Sequence, residues 1–322
     1  MIAAAALWLI ACGIFGAPTW MYFGALAIVL SQPLVLGAEF VVLYFAHGDD
    51  PVPRARPGAM FRAWLAESWI SAQVFCWRQP FRSHLHPDNL GSIGPSKQHD
   101  AVVLVHGFVC NRGAWAPMTA QLERANMPFI AVNLEPVFAE SIDEYVPIVE
   151  RAVNAAIDAT GRPPVIVAHS MGGLVVRAWL AGDGARQHAV KHVITIGSPH
   201  RGTLLARFAR APNARQMRLD SPWVEKLGSS LQDDPFAGFT CFYSDCDNIV
   251  MPCSTAALPG ADNRLLRGAA HLEMAFRPEV WDEVERWAKR APLESASGTI
   301  TAESTAVKNT SSTRDATASA AP

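Results

Sequence analysis

Ser170 stands in Ala168-His-Ser-Met-Gly-Gly, directly after the apolar, β-branched run Pro164-Val-Ile-Val-Ala and directly before a helical pattern. A serine hydroxyl at its free pKa is a poor nucleophile, so chemistry there requires a histidine to take its proton and a carboxylate to hold that histidine. The local pattern suits such a serine. A short buried strand, small residues at Ala168, Gly172 and Gly173, and a helix start predict a tight, strained turn with Ser170 at its apex. The motif is G-x-S-x-G with Ala168 in place of the first glycine.

Ten histidines could serve as the base. His271 is best placed, in Gly268-Ala-Ala-His-Leu-Glu-Met, after the last expected strand and before the last expected helix. His106 and His169 flank other motifs and read as turn or backing residues. The stretch Tyr243-Ser-Asp-Cys-Asp-Asn-Ile-Val offers Asp245 and Asp247, with Asp262 as a third candidate acid. The apolar pair Ile249-Val250 after Asp247 would anchor its loop and leave the carboxylate turned to His271, which favours Asp247. The order serine, acid, histidine is the one expected of a strand-turn-helix nucleophile. Two backbone N–H donors would complete the chemistry by holding a developing oxyanion. Gly107 lets the chain turn after the strand ending at Val105, so the Phe108 N–H can face the site. Met171, opening the helix after Ser170, supplies the other where the helix dipole favours negative charge.

The elements that must position these groups follow from periodicity. Strands fit Ala101 to Val105, Pro128 to Leu134, Pro164 to Ala168, Val190 to Ile196, Phe239 to Ser244 and Asn263 to Leu266. Helices fit Gly113 to Ala125, Ser141 to Thr160, Met171 to Leu180 and Pro278 to Lys289. Alternation of the two predicts right-handed crossovers and a mostly parallel sheet covered on both faces. The interval from about 201 to 236 lacks a clean strand and contains a short helix entered at Ser221-Pro222, which reads as a cap. Leu204 and Trp223 in that cap, with Phe108, are the expected substrate contacts.

These blocks resemble the α/β-hydrolase lipases and esterases of bacteria. Ala168-His-Ser-Met-Gly-Gly looks like the alanine-type elbow, and Val193-Ile-Thr-Ile-Gly-Ser-Pro-His-Arg-Gly-Thr is similar to the strand and turn that follow it there. Asp247-Asn-Ile-Val and Gly268-Ala-Ala-His fit the acid and histidine blocks, and the resemblance runs from about Asp100 to Phe276. It implies hydrolysis of carboxylic esters, without a cofactor or metal, by a triad of Ser170, Asp247 and His271. The same triad could pass an acyl group to another acceptor or cleave a thioester or amide, and a silent scaffold that binds lipid is the reading from outside enzymology.

The resemblance leaves the N-terminal third unexplained, and secreted lipases of the family lack such a segment. Residues 1–46 are almost wholly apolar and carry no Lys or Arg. Gly16-Ala-Pro-Thr predicts a turn between two membrane helices, the first short at its start, an anchor in the form of a hairpin; one spanning helix with a re-entrant or interfacial piece is the alternative. Prolines 51, 53 and 57 mark a linker within 47–98, followed by an amphipathic helix from Ala59 to Trp77 whose stripe is Phe61, Trp64, Leu65, Ile70, Val74, Phe75 and Trp77. Such a stripe fits packing on the catalytic domain; its tryptophans beside Arg62 and Arg78 also fit a membrane interface. The catalytic domain is expected at 99–292, and 293–322 is a Ser/Thr/Ala tail predicted to be disordered. Two crossings with Arg54, Arg56 and Arg62 after the second predict an integral inner-membrane protein with a cytoplasmic catalytic domain. The formal net charge of −2 excludes a basic footprint for nucleic acid. The six cysteines form no C-x-x-C pair, and the cluster at 241, 246 and 253 fits free thiols at least as well as a bridge.

Overall fold

The computed structural model describes residues 2–90, 99–182, 184–229 and 236–289. The expected disordered tail, part of the linker and residues 230–235 of the expected cap lie outside these.

Each expected strand forms: β1 Val102–Val105, β2 Phe129–Ala131, β3 Val165–His169, β4 His192–Ile196, β5 Phe239–Tyr243 and β6 Asp262–Leu265. They make one parallel sheet in the order β2-β1-β3-β4-β5-β6. The helices in chain order are α1 Ile2–Ile14, α2 Phe23–Ala46, α3 Pro57–Gln73, α4 Gln79–Arg82, α5 Ala116–Arg124, α6 Val146–Thr160, α7 Met171–Gly182, α8 Pro212–Gln216, α9 Pro222–Ser229 and α10 Pro278–Lys289.

Alternation along the strands decides which face each side chain meets. Val103, Val105, Ile166, Ala168 and Val193 pack with Val149 and Val153 of α6 and Leu174 and Trp179 of α7. The intervening Val102, Leu104, Val165, Val167 and Ile194 pack with Met118 and Leu122 of α5 and Val280 and Val284 of α10. Both faces are therefore covered, which is why these strands are apolar throughout rather than alternating. Local signals set the helix starts. Ser141 and Glu144 form a capping box ahead of α6, and the Ser221 hydroxyl accepts from the Val224 N–H to open α9.

The order of strands reverses between β1 and β3, since the chain runs from β1 outward to β2 and then returns. Ligands of open parallel sheets bind outside the carboxyl ends of the strands at that reversal. The carboxyl ends there carry His106-Gly107-Phe108 and Ser170.

The N-terminal third departs from expectation in two ways. The hairpin is present, but α1 has 13 residues, a rise of about 20 Å, against a hydrocarbon core of about 30 Å. Among the described residues, only the 28-residue stretch Thr19–Ala46 is long and apolar enough to cross a membrane. Two full crossings are therefore not what these lengths provide. The second departure is the orientation of α3. Its buried positions are Met60, Ala63, Glu67 and Ser71, while Phe61, Leu65 and Trp69 are exposed. Most of the large apolar residues read as a packing stripe face outward, because the contact surface is made by Met60 with the small and polar Ala63, Glu67 and Ser71 at the same spacing of three and four. That surface meets α2 and the loops after β5 and β6: Phe40, Leu43, Met60 and Ala63 form one cluster with Cys246, Met251, Cys253 and Ala270.

Candidate active site

Ser170 follows β3 and precedes α7 with φ of +55°, the left-handed region that non-glycine residues rarely occupy. Strain of this kind persists only where the surroundings over-determine it. Here the Ser170 N–H donates to Ile196 O at 2.9 Å, and the Ser170 carbonyl accepts from Gly173 N–H at 3.1 Å. A Cβ at position 172 would lie 2.6 Å from the Val105 carbonyl oxygen and 2.7 Å from that of His106, so only glycine lets α7 start this close to β1. At position 107 a Cβ would lie 2.8 Å from the Ser170 Cβ, and its absence opens the space over the serine.

The three candidate acids separate by what they touch. Asp247 is 1% exposed and faces His271 Nδ1 with Oδ1 at 3.0 Å and Oδ2 at 3.1 Å. Its Oδ1 also accepts from the N–H groups of Ile249 and Val250, each at 2.9 Å, so those residues bind the carboxylate through their backbone as well as anchoring the loop. Asp245 accepts from Gly268 N–H at 2.6 Å and holds the turn before the histidine. Asp262 lies at the outer end of the sheet and pairs with Arg264.

His271 is buried. Burial alone would push its pKa down, but the charge and hydrogen bond of Asp247, with the charges of Glu67 and Glu39, raise it above the usual histidine value. Behind it, His169 offers Nε2 to the His271 carbonyl at 3.1 Å, and the two rings lie 4.6 Å apart. Burial holds His169 down to about 3 and His106 to about 4. His106 contacts the Gly107 carbonyl through Nδ1 at 2.9 Å and accepts from Leu134 N–H on Nε2 at 3.0 Å, so both nitrogens are engaged in backing the turn.

Neither Phe108 N–H nor Met171 N–H has a protein acceptor among the described residues. The Ser170 hydroxyl likewise makes no hydrogen bond there, and contacts of this kind commonly tighten only when substrate is bound. Among the same residues, no group of three or more His, Cys, Asp or Glu could hold a metal ion, and all six cysteines are free.

Of the expected substrate contacts, Phe108 and Trp223 border one core cluster and Leu204 another. The Phe108 ring meets Phe138 edge-on at 5.9 Å, with Phe138 and Val109 exposed beside the turn. Leu204 packs instead on the cluster shared with α2 and α3, and Trp223 is tied by its indole N–H to Asp143 Oδ2 at 2.9 Å. Sequence reasoning missed Asn248, which accepts from the His271 N–H at 3.2 Å on Oδ1, and Glu67, which accepts from Leu272 N–H at 3.0 Å.

A sequence model of the Alpha/beta hydrolase family matches residues 102–309. The chain belongs to the alpha/beta hydrolase family. Solved structures agree on the fold of this α/β hydrolase. A lipase of Bacillus licheniformis, BlEst2 in mature form, superposes with a TM-score of 0.53 at 16% identity, over 61% of this chain and 95% of that one. Aspergillus fumigatus lipase B gives a TM-score of 0.52 at 20% identity, over 63% of this chain and 56% of that one. Comparison with curated proteins returns no match. Helix α3 precedes the matched region, so Glu67 comes from outside it.

Proposed function

We propose that this α/β hydrolase is a membrane-anchored serine esterase or lipase that works through an acyl-enzyme on Ser170. The observation that carries the reading is the buried Asp247–His271 pair together with a left-handed serine and two N–H groups free to donate to an oxyanion.

In this reading His271 Nε2 takes the Ser170 proton as Oγ attacks the ester carbonyl. The oxyanion forms against the N–H groups of Phe108 and Met171, each worth roughly 2.7 to 4 kcal/mol in the transition state. His271 returns the proton to the leaving alcohol, and the acyl group stays on Ser170. Water then loses a proton to His271 and attacks the acyl carbon, and the carboxylic acid leaves as Ser170 recovers its proton. Asp247 keeps Nδ1 protonated and stabilises the imidazolium formed in each half.

An acyl substrate is supported by the exposed apolar surface of Val109 and Phe138 beside Phe108 and by the lipase fold neighbours. Anchoring is supported by the apolar length of Thr19–Ala46 and by the outward aromatic face of Phe61, Trp69, Trp77 and Phe81. A signal sequence removed after export fits less well, because Phe40 and Leu43 of α2 are buried against the loops of the catalytic domain. Arg54 and Arg56, exposed after α2, favour a cytoplasmic domain under the positive-inside rule. A graded series of 4-nitrophenyl esters tests the activity. Turnover that Ser170→Ala abolishes is the expected result, and absence of turnover on every ester, thioester and amide offered would refute it.

A further inference from the structure

Of three successive N–H groups at the histidine loop, two are held by Glu67 of α3 and one by Asn248, which is itself tied to α2. Leu272 N–H donates to Glu67 Oε1 at 3.0 Å and to Oε2 at 3.1 Å, and Glu273 N–H donates to Oε2 at 3.3 Å. The N–H of His271 itself donates to Asn248 Oδ1, and Asn248 Nδ2 donates to Glu39 of α2 at 2.7 Å. Arg62 of α3 reaches the Gly268 carbonyl on the same loop at 3.5 Å.

Glu67 is 2% exposed, and a carboxylate is a costly group to bury. Glutamate at a position where a helix meets a protein surface is ordinarily replaced by something apolar, so its presence calls for a partner. The partners are all backbone groups of the residues that follow the catalytic histidine. We propose that Glu67 is a positioning residue for His271, so that the catalytic site of this hydrolase is incomplete without the helix that links it to the anchor. The proposal rests on the assignment of His271 as the general base.

Two physical effects follow from this placement. The carboxylate caps the short 3-10 turn Glu273–Phe276 and fixes the rise of the chain at residue 271, which sets where the imidazole lies against Ser170. Once it is ionised, above about pH 7, its charge also stabilises the imidazolium that forms in each half of the reaction. The ionisable groups facing it are His271 and Asp247 from the loops, with Glu39 from α2 beyond Asn248. Glu273 turns its own carboxylate to Ala270 N–H and to Arg277. Tying the loop to α2 and α3 makes the geometry of the triad depend on the seating of the anchor helix, which no feature of residues 102–309 alone would do.

The test compares the full chain in lipid nanodiscs with its Glu67→Gln, Glu67→Ala and Ser170→Ala variants, measuring thermal unfolding, kcat, KM and the pH profile of kcat/KM on one 4-nitrophenyl ester. Glu67→Gln keeps an acceptor for the loop and removes the charge. It should fold, lose roughly tenfold in kcat with KM nearly unchanged, and shift the acid limb to lower pH. Glu67→Ala, scaled to its folded fraction, should lose roughly 100-fold, the range for a small misplacement of a reacting group. A folded Glu67→Gln with the wild-type kcat and acid limb, or a Glu67→Ala no worse than Glu67→Gln, overturns the proposal. Full activity in Ser170→Ala would instead overturn the triad on which it rests.

Discussion

Asp247 meets His271 with both oxygens and takes the N–H groups of Ile249 and Val250 on one of them, so its charge is committed to a fixed place behind the imidazole. Asp247→Asn should therefore lower kcat on the order of 10⁴-fold, the effect of leaving the imidazole in the wrong tautomer. Asp262→Asn should leave turnover near the wild-type value, because that carboxylate pairs with a half-exposed arginine at the edge of the sheet. Steady-state kinetics on the two variants distinguishes them, and a larger loss for Asp262→Asn would contradict the geometry. The raised pKa of His271 adds a pH dependence. A general base must be neutral to act, so the acid limb of kcat/KM should lie above the usual histidine value, and Asp247→Asn should move it down. Gly172→Ala should destabilise the fold by about 1 to 3 kcal/mol in denaturant unfolding, since backbone oxygens of Val105 and His106 occupy the space its Cβ needs. The serine and the preferred acid were legible because each follows a short apolar strand, and the histidine because it lies between the last strand and the last helix. Asn248 was not, since its role lies in a hydrogen bond to a backbone 23 residues away.

The elements divide by how local their instructions are. The strands and helices of the catalytic domain carry their own signals, such as the Ser141–Glu144 box and the alternation that places Val103 and Val102 on opposite faces. Helix α3 does not. Its large apolar residues read as a packing face, yet the surface that meets the loops is Met60, Ala63, Glu67 and Ser71. Glu67 was invisible for the same reason: in a helix it reads as a solvated charge until the loops near residue 271 are folded over it. Its burial has a consequence for stability. Desolvation pushes the Glu67 carboxyl up to about 7 from the ordinary 4.5, so the folded chain keeps a proton that the unfolded chain has released. Stability should accordingly decline as pH rises from about 4.5 to about 7, and Glu67→Gln should flatten that decline in urea unfolding across the interval. An unchanged slope in the variant would assign the decline to other groups.

On the scale of the whole molecule, the catalytic domain and the apolar N-terminus share one cluster of buried side chains, from Phe40 and Leu43 through Met60 to Cys246 and Met251. The packed residues Phe40 and Leu43 lie inside the apolar stretch Thr19–Ala46, so the C-terminal part of α2 is built into the hydrolase. Its hydropathy was readable from composition, and so was the brevity of α1, because only fifteen residues of the sequence precede Gly16. The chain should remain in the membrane fraction after high-salt and alkaline washing and enter solution only with detergent. Release by salt would refute the anchor. A periplasm-dependent reporter fused after Lys289 should stay inactive if the domain is cytoplasmic.

An activated nucleophile at Ser170 should react covalently with an electrophilic phosphorus centre. A fluorophosphonate probe should modify the full chain, with the adduct mapping by peptide sequencing to the segment containing Ser170, and both Ser170→Ala and His271→Ala should abolish the signal while retaining the folded state. An adduct on any other residue, or undiminished labelling of Ser170→Ala, would contradict the account.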